Sequence, residues 1–290
     1  MTTVENNPRI LPGSPQWDEL LGRIAAGAKD RDLNDENPFD QVAALKRAGF
    51  GTLRLPHELG GAGLTVPQLF SAVIDVARAD PVVAHIFRTH FWFTEERLRT
   101  AGDPASLQWL RKVADGQLFG NAFSEKGSNA VGSLVFNTRL LPADGGGYQL
   151  DGEKFYSTGT LFSDYLTVAT TTDHDSVATV VVPADREGVR LIDDWDGFGQ
   201  RRTGTGTTVF TNVAVSNDEV LSDTPYDAAP EAATRLLGLG GASAESRQRN
   251  LDRHWRNIRT IMLHNPVAHN ARVIGQNLLH GTPVPADAYF

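Results

Sequence analysis

The chain has 290 residues, of which 40% are hydrophobic and 21% charged, with a net charge of −8 and no cysteine. That length can bury two or three compact units. The lack of Cys excludes disulfides, thiolate metal sites and a cysteine nucleophile. An acidic balance without a basic run excludes a nucleic-acid partner. No apolar stretch is long enough to cross a bilayer. The opening Met1-Thr2-Thr3-Val4 lacks the charged-then-apolar order of a secretory signal. A cytoplasmic enzyme or binding protein, away from membranes, is expected.

The first third reads as helical. Ser14 and Pro15 open a helix in which Trp17, Leu20, Leu21, Ile24 and Ala28 recur at helical spacing. A second helix fits 39–48 and closes on Gly49. Residues 56–64 form a glycine-rich turn. Helical periodicity resumes over 66–79, with Leu69, Val73, Ile74 and Val76 near one face. Asp103-Pro104 starts another helix, striped by Leu107, Leu110 and Val113.

Near residue 117 the period changes to two. Leu134, Phe136, Thr138 and Leu140 alternate as a strand, 144–147 is a turn, and 148–150 leads to a second turn at Asp151-Gly152. Short strands are expected at 155–157, 165–171, 177–182, 189–192 and 207–215. Such a series indicates a small β-barrel or sandwich. Residues 224–230 form a weak linker, followed by an Arg-rich helix from about Ser243, a break at Pro266 and a last helix to about Leu279. The expected class is α+β: an N-terminal helical domain over 1–116, a central small β-barrel over 117–222 and a C-terminal helical segment over 223–290.

The common hydrolase and nucleotide signatures are absent. His264 and His269 are five apart with no acidic companion, so no metal site is expected. What carries information is the order of several separate segments. Leu55-Pro56-His57-Glu58-Leu59-Gly60-Gly61 resembles the "vPeelGG" turn of acyl-CoA dehydrogenases. Asn121-Ala122-Phe123-Ser124-Glu125-Lys126-Gly127-Ser128-Asn129 resembles the strand and loop that these proteins lay on the flavin. Asp151-Gly152-Glu153-Lys154-Phe155-Tyr156-Ser157-Thr158-Gly159 resembles their "l-n-G-x-K-x-W-I-T-N". Matches around 198–204 and 209–215, and Arg256-Asn257-Ile258-Arg259 against "R-D-A-R", complete the series.

The resemblance implies a truncated acyl-CoA dehydrogenase-like fold, since several bundle helices, on the order of a hundred residues, are missing before the closing segment. It places Thr158 near flavin N5 and Ser124 near the pyrimidine ring, with Asn121, Asn129, Ser157, Arg253 and Asn257 as further cofactor contacts. A dehydrogenase needs a carboxylate base to remove an α-proton, yet the aligned position is Asn265. The segment Asp252 to Pro266 instead resembles the dibenzothiophene monooxygenase-like branch, which uses reduced FMN and O2 through a flavin C4a-hydroperoxide. That branch implies His264, His90, Asn121 and Thr158 as catalytic, and Phe91, Trp92, Trp195, Phe198 and Asn265 around a small apolar or heteroaromatic substrate. As residues alone, His90 reads as a packed histidine, and Thr158 as an ordinary strand residue.

Leu237 stands where FAD-binding relatives carry Gln before the Gly pair, which favours FMN over FAD. Reduced FMN would then come from a separate NAD(P)H-dependent flavin reductase. The family is homotetrameric, an arrangement that loss of bundle helices puts in question. An acyl-CoA dehydrogenase-like FAD oxidoreductase and an inactive flavin-binding remnant are the alternatives.

Overall fold

The computed structural model describes residues 9–126 and 136–221. The expected linker, Arg-rich helix and last helix lie outside the described residues. Helices come first: α1 (Pro15–Ala26), α2 (Ala28–Asn34), α3 (Phe39–Arg47), α4 (Val66–Ala79), α5 (Pro81–Ile86), α6 (Arg88–Arg99) and α7 (Pro104–Ala114).

Local chemistry accounts for most of their ends. The Ser14 hydroxyl accepts from the Trp17 amide at 3.2 Å, which satisfies one of the donors that α1 leaves free. Asp103 does the same for Ala105 at the start of α7. Helix α1 stops at Gly27 rather than running on through Ala28. A Cβ on Gly27 would lie 2.6 Å from the Arg31 guanidinium. That space lets Arg31 fold back onto the Ile24 carbonyl at 2.7 Å and onto Asp80 at 2.8 Å.

Helices α2, α5 and α6 go beyond the sequence expectation, and α7 buries a different face from the one expected. Helix α6 buries Thr89, His90, Phe91, Phe93, Thr94, Glu96 and Arg97, so it is covered on several sides and shows no single apolar stripe. On α7 the buried set is Ser106, Trp109, Leu110 and Val113, and Leu107 is half-buried. The stripe is turned toward Trp109 because its indole packs edge-on against Phe119.

Eight strands follow among the described residues: β1 (Phe119–Ala122), β2 (Arg139–Pro142), β3 (Tyr148–Ser157), β4 (Tyr165–Thr172), β5 (Val177–Pro183), β6 (Val189–Ile192), β7 (Gly206–Val215) and β8 (Val220–Leu221). The sheet order is β6-β7-β3-β2-β4-β5-β8, with β1 paired to β4. β1 and β2 both run parallel to β4, in registers Phe119↔Tyr165 and Arg139↔Thr171, and so lie end to end along one edge of it. β3 is antiparallel to β2 and to β7.

Two expectations need correction. Of the alternation expected over 134–140, the described residues 136–140 form a strand only from Arg139. Upstream, the amides of Phe136, Asn137 and Thr138 are taken by the side chains of Thr171 and Glu125. Asp151-Gly152 is not a turn: β3 runs straight through it, with a register shift against β7. Gly152 has φ 147°, and a Cβ there would stand 2.6 Å from the Thr138 Cα. The glycine serves a close approach of two segments of the chain.

The helical core gathers Trp17, Leu20, Leu45, Phe50, Val76 and Phe87, and the sheet core Leu140, Leu150, Val168, Val180 and Phe210. A third cluster joins the two through Phe93, Trp109 and Phe119. Phe119 stacks on Phe93 at 4.2 Å and on Tyr165 at 5.3 Å.

Candidate functional site

Helix α6 fixes where β1 begins. Thr89 donates its hydroxyl to the Phe119 carbonyl at 3.3 Å, and the Phe119 amide donates to His90 Nδ1 at 3.3 Å. His90 Nε2 lies 2.9 Å from the Gly51 carbonyl. One nitrogen accepts and the other faces an acceptor, so the ring is neutral with its proton on Nε2. Burial pushes its pKa down from 6.5 to about 4, only partly opposed by the Gly51 bond.

From that anchor β1 runs antiparallel to β3. A Cβ on Gly120 would meet Thr160 at 3.2 Å, and the Phe155 amide donates to the Ser124 carbonyl at 2.8 Å. Between these two points lies Asn121, paired in register with Thr167 on β4. The turn at Thr158 is also held: the Gly159 amide donates to the Thr203 carbonyl at 2.9 Å. Gly159 is left-handed, with φ 79°, and a Cβ on it would stand 3.0 Å from the Ile86 carbonyl. The start of α6, the end of β3 and the 203–205 loop therefore meet at Thr158.

Among the described residues, the side chains hydrogen-bonded to one another there are uncharged. Thr158 is buried and accepts from the Thr205 hydroxyl at 3.0 Å, and Thr205 contacts Thr203 Oγ1 at 2.6 Å. The Thr158 proton is thus left over for another acceptor. Ser157 Oγ is buried with no hydrogen-bond partner among the described residues, a state that costs free energy unless something else fills it. Neutral hydroxyls and an amide on rigid strands suit the carbonyl and nitrogen edge of a flavin ring. The donor set fits such a ring.

Directly behind it lies a buried ion pair. Lys154 Nζ donates to Glu125 Oε1 at 2.7 Å, with side-chain exposures of 0% and 2%. It also reaches the Phe123 carbonyl at 3.2 Å and lies 4.1 Å from the centre of the Phe136 ring. Glu125 further accepts from the Asn137 amide and from the amide and hydroxyl of Thr138. Burial pushes Lys154 down to about 8, against the pull of Glu125. Burial alone would raise Glu125, but Lys154, Thr138 and Asn137 outweigh it and hold the carboxyl below its usual value.

Residues 20–117 match the family description Acyl-CoA dehydrogenase, N-terminal domain, and residues 121–213 match Acyl-CoA dehydrogenase, middle domain. The chain belongs to the acyl-CoA dehydrogenase family. It is 34% identical to the dibenzothiophene monooxygenase of Mycolicibacterium goodii, over 76% of this chain and 54% of that protein. It is 30% identical to the probable FMNH2-dependent monooxygenase SfnC of Pseudomonas putida, over 82% of this chain and 62% of that one. The chain thus spans roughly half to three-fifths of the length of these curated relatives. The crystal structure of TdsC from Paenibacillus sp. A11-2 with FMN and indole shares the fold, with a TM-score of 0.79 at 22% identity over 94% of this chain and 98% of that one.

Within this family fold, Asn121, Ser124, Ser157 and Thr158 fall on two neighbouring segments. His90 turns inward, and both its nitrogens are engaged by the chain itself. Phe91 is a core residue, edge-on to Phe50 at 5.2 Å. Trp92 packs edge-on against Phe123 at 5.5 Å, next to Ser124. Trp195 donates its indole N–H to the Gly199 carbonyl at 3.0 Å and meets Tyr156, while Phe198 is exposed. Tyr156 is left-handed at φ 58°. Asn129, Arg253, Asn257, His264 and Asn265 lie outside the described residues. Glu125 and Lys154 went unremarked in the sequence. Their signal was a charge on each of the two segments, 29 positions apart, one of them in a strand.

Proposed function

We propose that this chain is the flavin-binding part of a reduced-FMN-dependent monooxygenase that inserts one atom of O2 into a small apolar or heteroaromatic substrate. The observation that carries the reading is the neutral donor set at Thr158, where β1, β3, α6 and the 203–205 loop converge. Asn265, at the position of the dehydrogenase base, and the printed activities of the curated relatives support it. FMN, reduced by a separate NAD(P)H-dependent flavin reductase, would supply the electrons that activate oxygen.

The chain's own residues have distinct tasks in this reading. Asn121, Ser124 and Ser157 hold the polar edge of the ring. Thr158, accepting from Thr205, would have its own proton free to donate to the ring. His90 sets the position of β1 and so of Asn121. Trp92, Trp195 and Phe198 exclude water on the apolar side, and Asn129, Arg253, Asn257 and His264 complete the site, with His264 as proton donor to oxygen. The assembled enzyme would be a cytoplasmic homotetramer, with a helical domain to residue 116, a flavin-binding sheet domain over 117–222 and a closing helical segment.

Fluorescence titration with FMN, FAD and an acyl-CoA tests it. FMN is expected to bind in preference to FAD, and Thr205→Val to weaken FMN about fivefold, a net hydrogen bond of about 1 kcal/mol. Tight FAD binding with bleaching by acyl-CoA would overturn the reading.

A further inference from the structure

We infer that the Lys154–Glu125 pair is a positioning device for the cofactor site: it locks the 123–126 segment against the 154–158 segment, so that flavin affinity depends on this pair remaining a charged contact. The inference rests on the FMN reading above. Three stretches of chain converge on two side chains. Lys154 belongs to β3, three positions before Ser157 and four before Thr158. Glu125 follows Ser124 directly, and the Phe123 carbonyl that precedes Ser124 also accepts from Lys154. Ser124 is therefore bracketed on both sides by contacts to one ammonium. The third stretch, 136–138, gives three donors to Glu125. Gly152 is the partner to this arrangement, because a side chain there would push Thr138 away from the carboxylate.

Fold stability alone does not call for such a pair. Apolar residues of the same volume commonly serve as well in a core, whereas a charged, multiply bonded pair specifies one arrangement. Here the arrangement specified is the relative placement of the two segments that carry the ring contacts. Among the described residues, Glu125 is the charge that acts on Lys154. Across β7 stands Thr208, opposite Lys154 in register, and across the 136–138 stretch stand Phe136, Asn137 and Thr138. The other charge on the loop, Lys126, places its ammonium 4.0 Å from the centre of the Phe155 ring and acts on Asp194. Lys154 and Glu125 therefore answer to each other.

The test is FMN titration of the full chain between pH 6.5 and 9.5, for the wild type, Lys154→Met and the double variant Glu125→Gln/Lys154→Met. Far-UV circular dichroism is recorded at each point, well below the melting temperature. Wild-type affinity should fall about three- to tenfold as pH rises through about 8, where Lys154 loses its proton and a charge-assisted bond becomes a neutral one, with the fold unchanged. The double variant leaves no uncompensated charge at this position and keeps the fold. It should bind FMN at least about tenfold more weakly, without the break near pH 8, which also corrects for titration of FMN itself. Should Lys154→Met fail to fold, the double variant carries the test. A merely structural pair would shift the melting temperature and leave the affinity of folded protein alone. Wild-type affinity flat across pH 8, together with unchanged affinity in the double variant, overturns the positioning role while FMN binding stands. A wild-type chain that binds no FMN at any pH overturns both.

Discussion

In the helical half, the buried ion pair joins Arg31 to Asp80, whose other oxygen caps the Val82 amide at 3.0 Å. In the sheet half, it joins Lys154 to Glu125. The first pair ties helix ends to one another, and in both pairs each partner keeps a neighbour if the other is lost: Arg31 the Ile24 carbonyl, Asp80 the Val82 amide, Lys154 the Phe123 carbonyl, and Glu125 the donors of Asn137 and Thr138. The second pair gathers strand and loop segments that are otherwise held by one backbone bond, from the Phe155 amide to the Ser124 carbonyl, beside the proposed cofactor site. The lesson is that burial of a charge says little until one asks which chain segments its hydrogen bonds bring together. A helical framework orders itself through its own backbone bonds, and a loop beside a strand does not.

That contrast can be broken by substitution. Lys154→Met leaves the Glu125 carboxylate buried without its cation, and breaking a buried pair from one side costs about 3–5 kcal/mol. Arg31→Met should cost less, about 2 kcal/mol, because that pair is less completely buried, with side-chain exposures of 10% and 7% against 0% and 2%. Urea unfolding of the two variants checks the order, and equal losses would erase the distinction.

The junction between the halves can be probed by acid. His90 has its pKa lowered from 6.5 to about 4. The unfolded chain therefore takes up this proton first, and the stabilisation is complete above about pH 6.5 and lost as pH falls toward 4. A shift of that size is worth about 3 kcal/mol. His90→Asn, which has no group titrating in that window, should show a shallower stability slope between pH 6.5 and 4 than the wild type. Parallel slopes would mean that His90 does not set the acid sensitivity of the α6–β1 contact.

The smallest expected effect lies far from the site. Ser14→Ala removes the α1 cap and should cost about 1 kcal/mol, with FMN affinity unchanged. A change in FMN affinity there would show that the helical framework and the site are not separable.

How much of this could be read beforehand differs between the halves. Helices α1, α3, α4 and α7 announced themselves through caps and apolar spacing, because those signals are local. Helices α5 and α6 did not, since a helix buried on several sides has no polar face to set against an apolar one. The strands after residue 164 were legible from β-branched runs between Gly and Asp turns. β3 was cut in two at Asp151-Gly152, because a glycine that permits close chain approach has the same composition as a turn. In the site, Asn121, Ser124, Ser157 and Thr158 could be proposed from the order of motifs. The packing of His90 was legible from the residues alone, but its partners, the Phe119 amide and the Gly51 carbonyl, were not.

The sequence by itself determined the order of elements, the switch from helices to strands near residue 117, and the family to which the chain belongs. Caps, periodicity and motif order are carried by residues close together in the chain. Only the tertiary structure decided that β1 and β2 share one edge of β4, that His90 is spent on Phe119 and Gly51, and that Glu125 meets Lys154 across 29 positions. Those outcomes depend on which distant donors and acceptors are left over once each local element has satisfied its own. A buried polar group must find its partner in three dimensions.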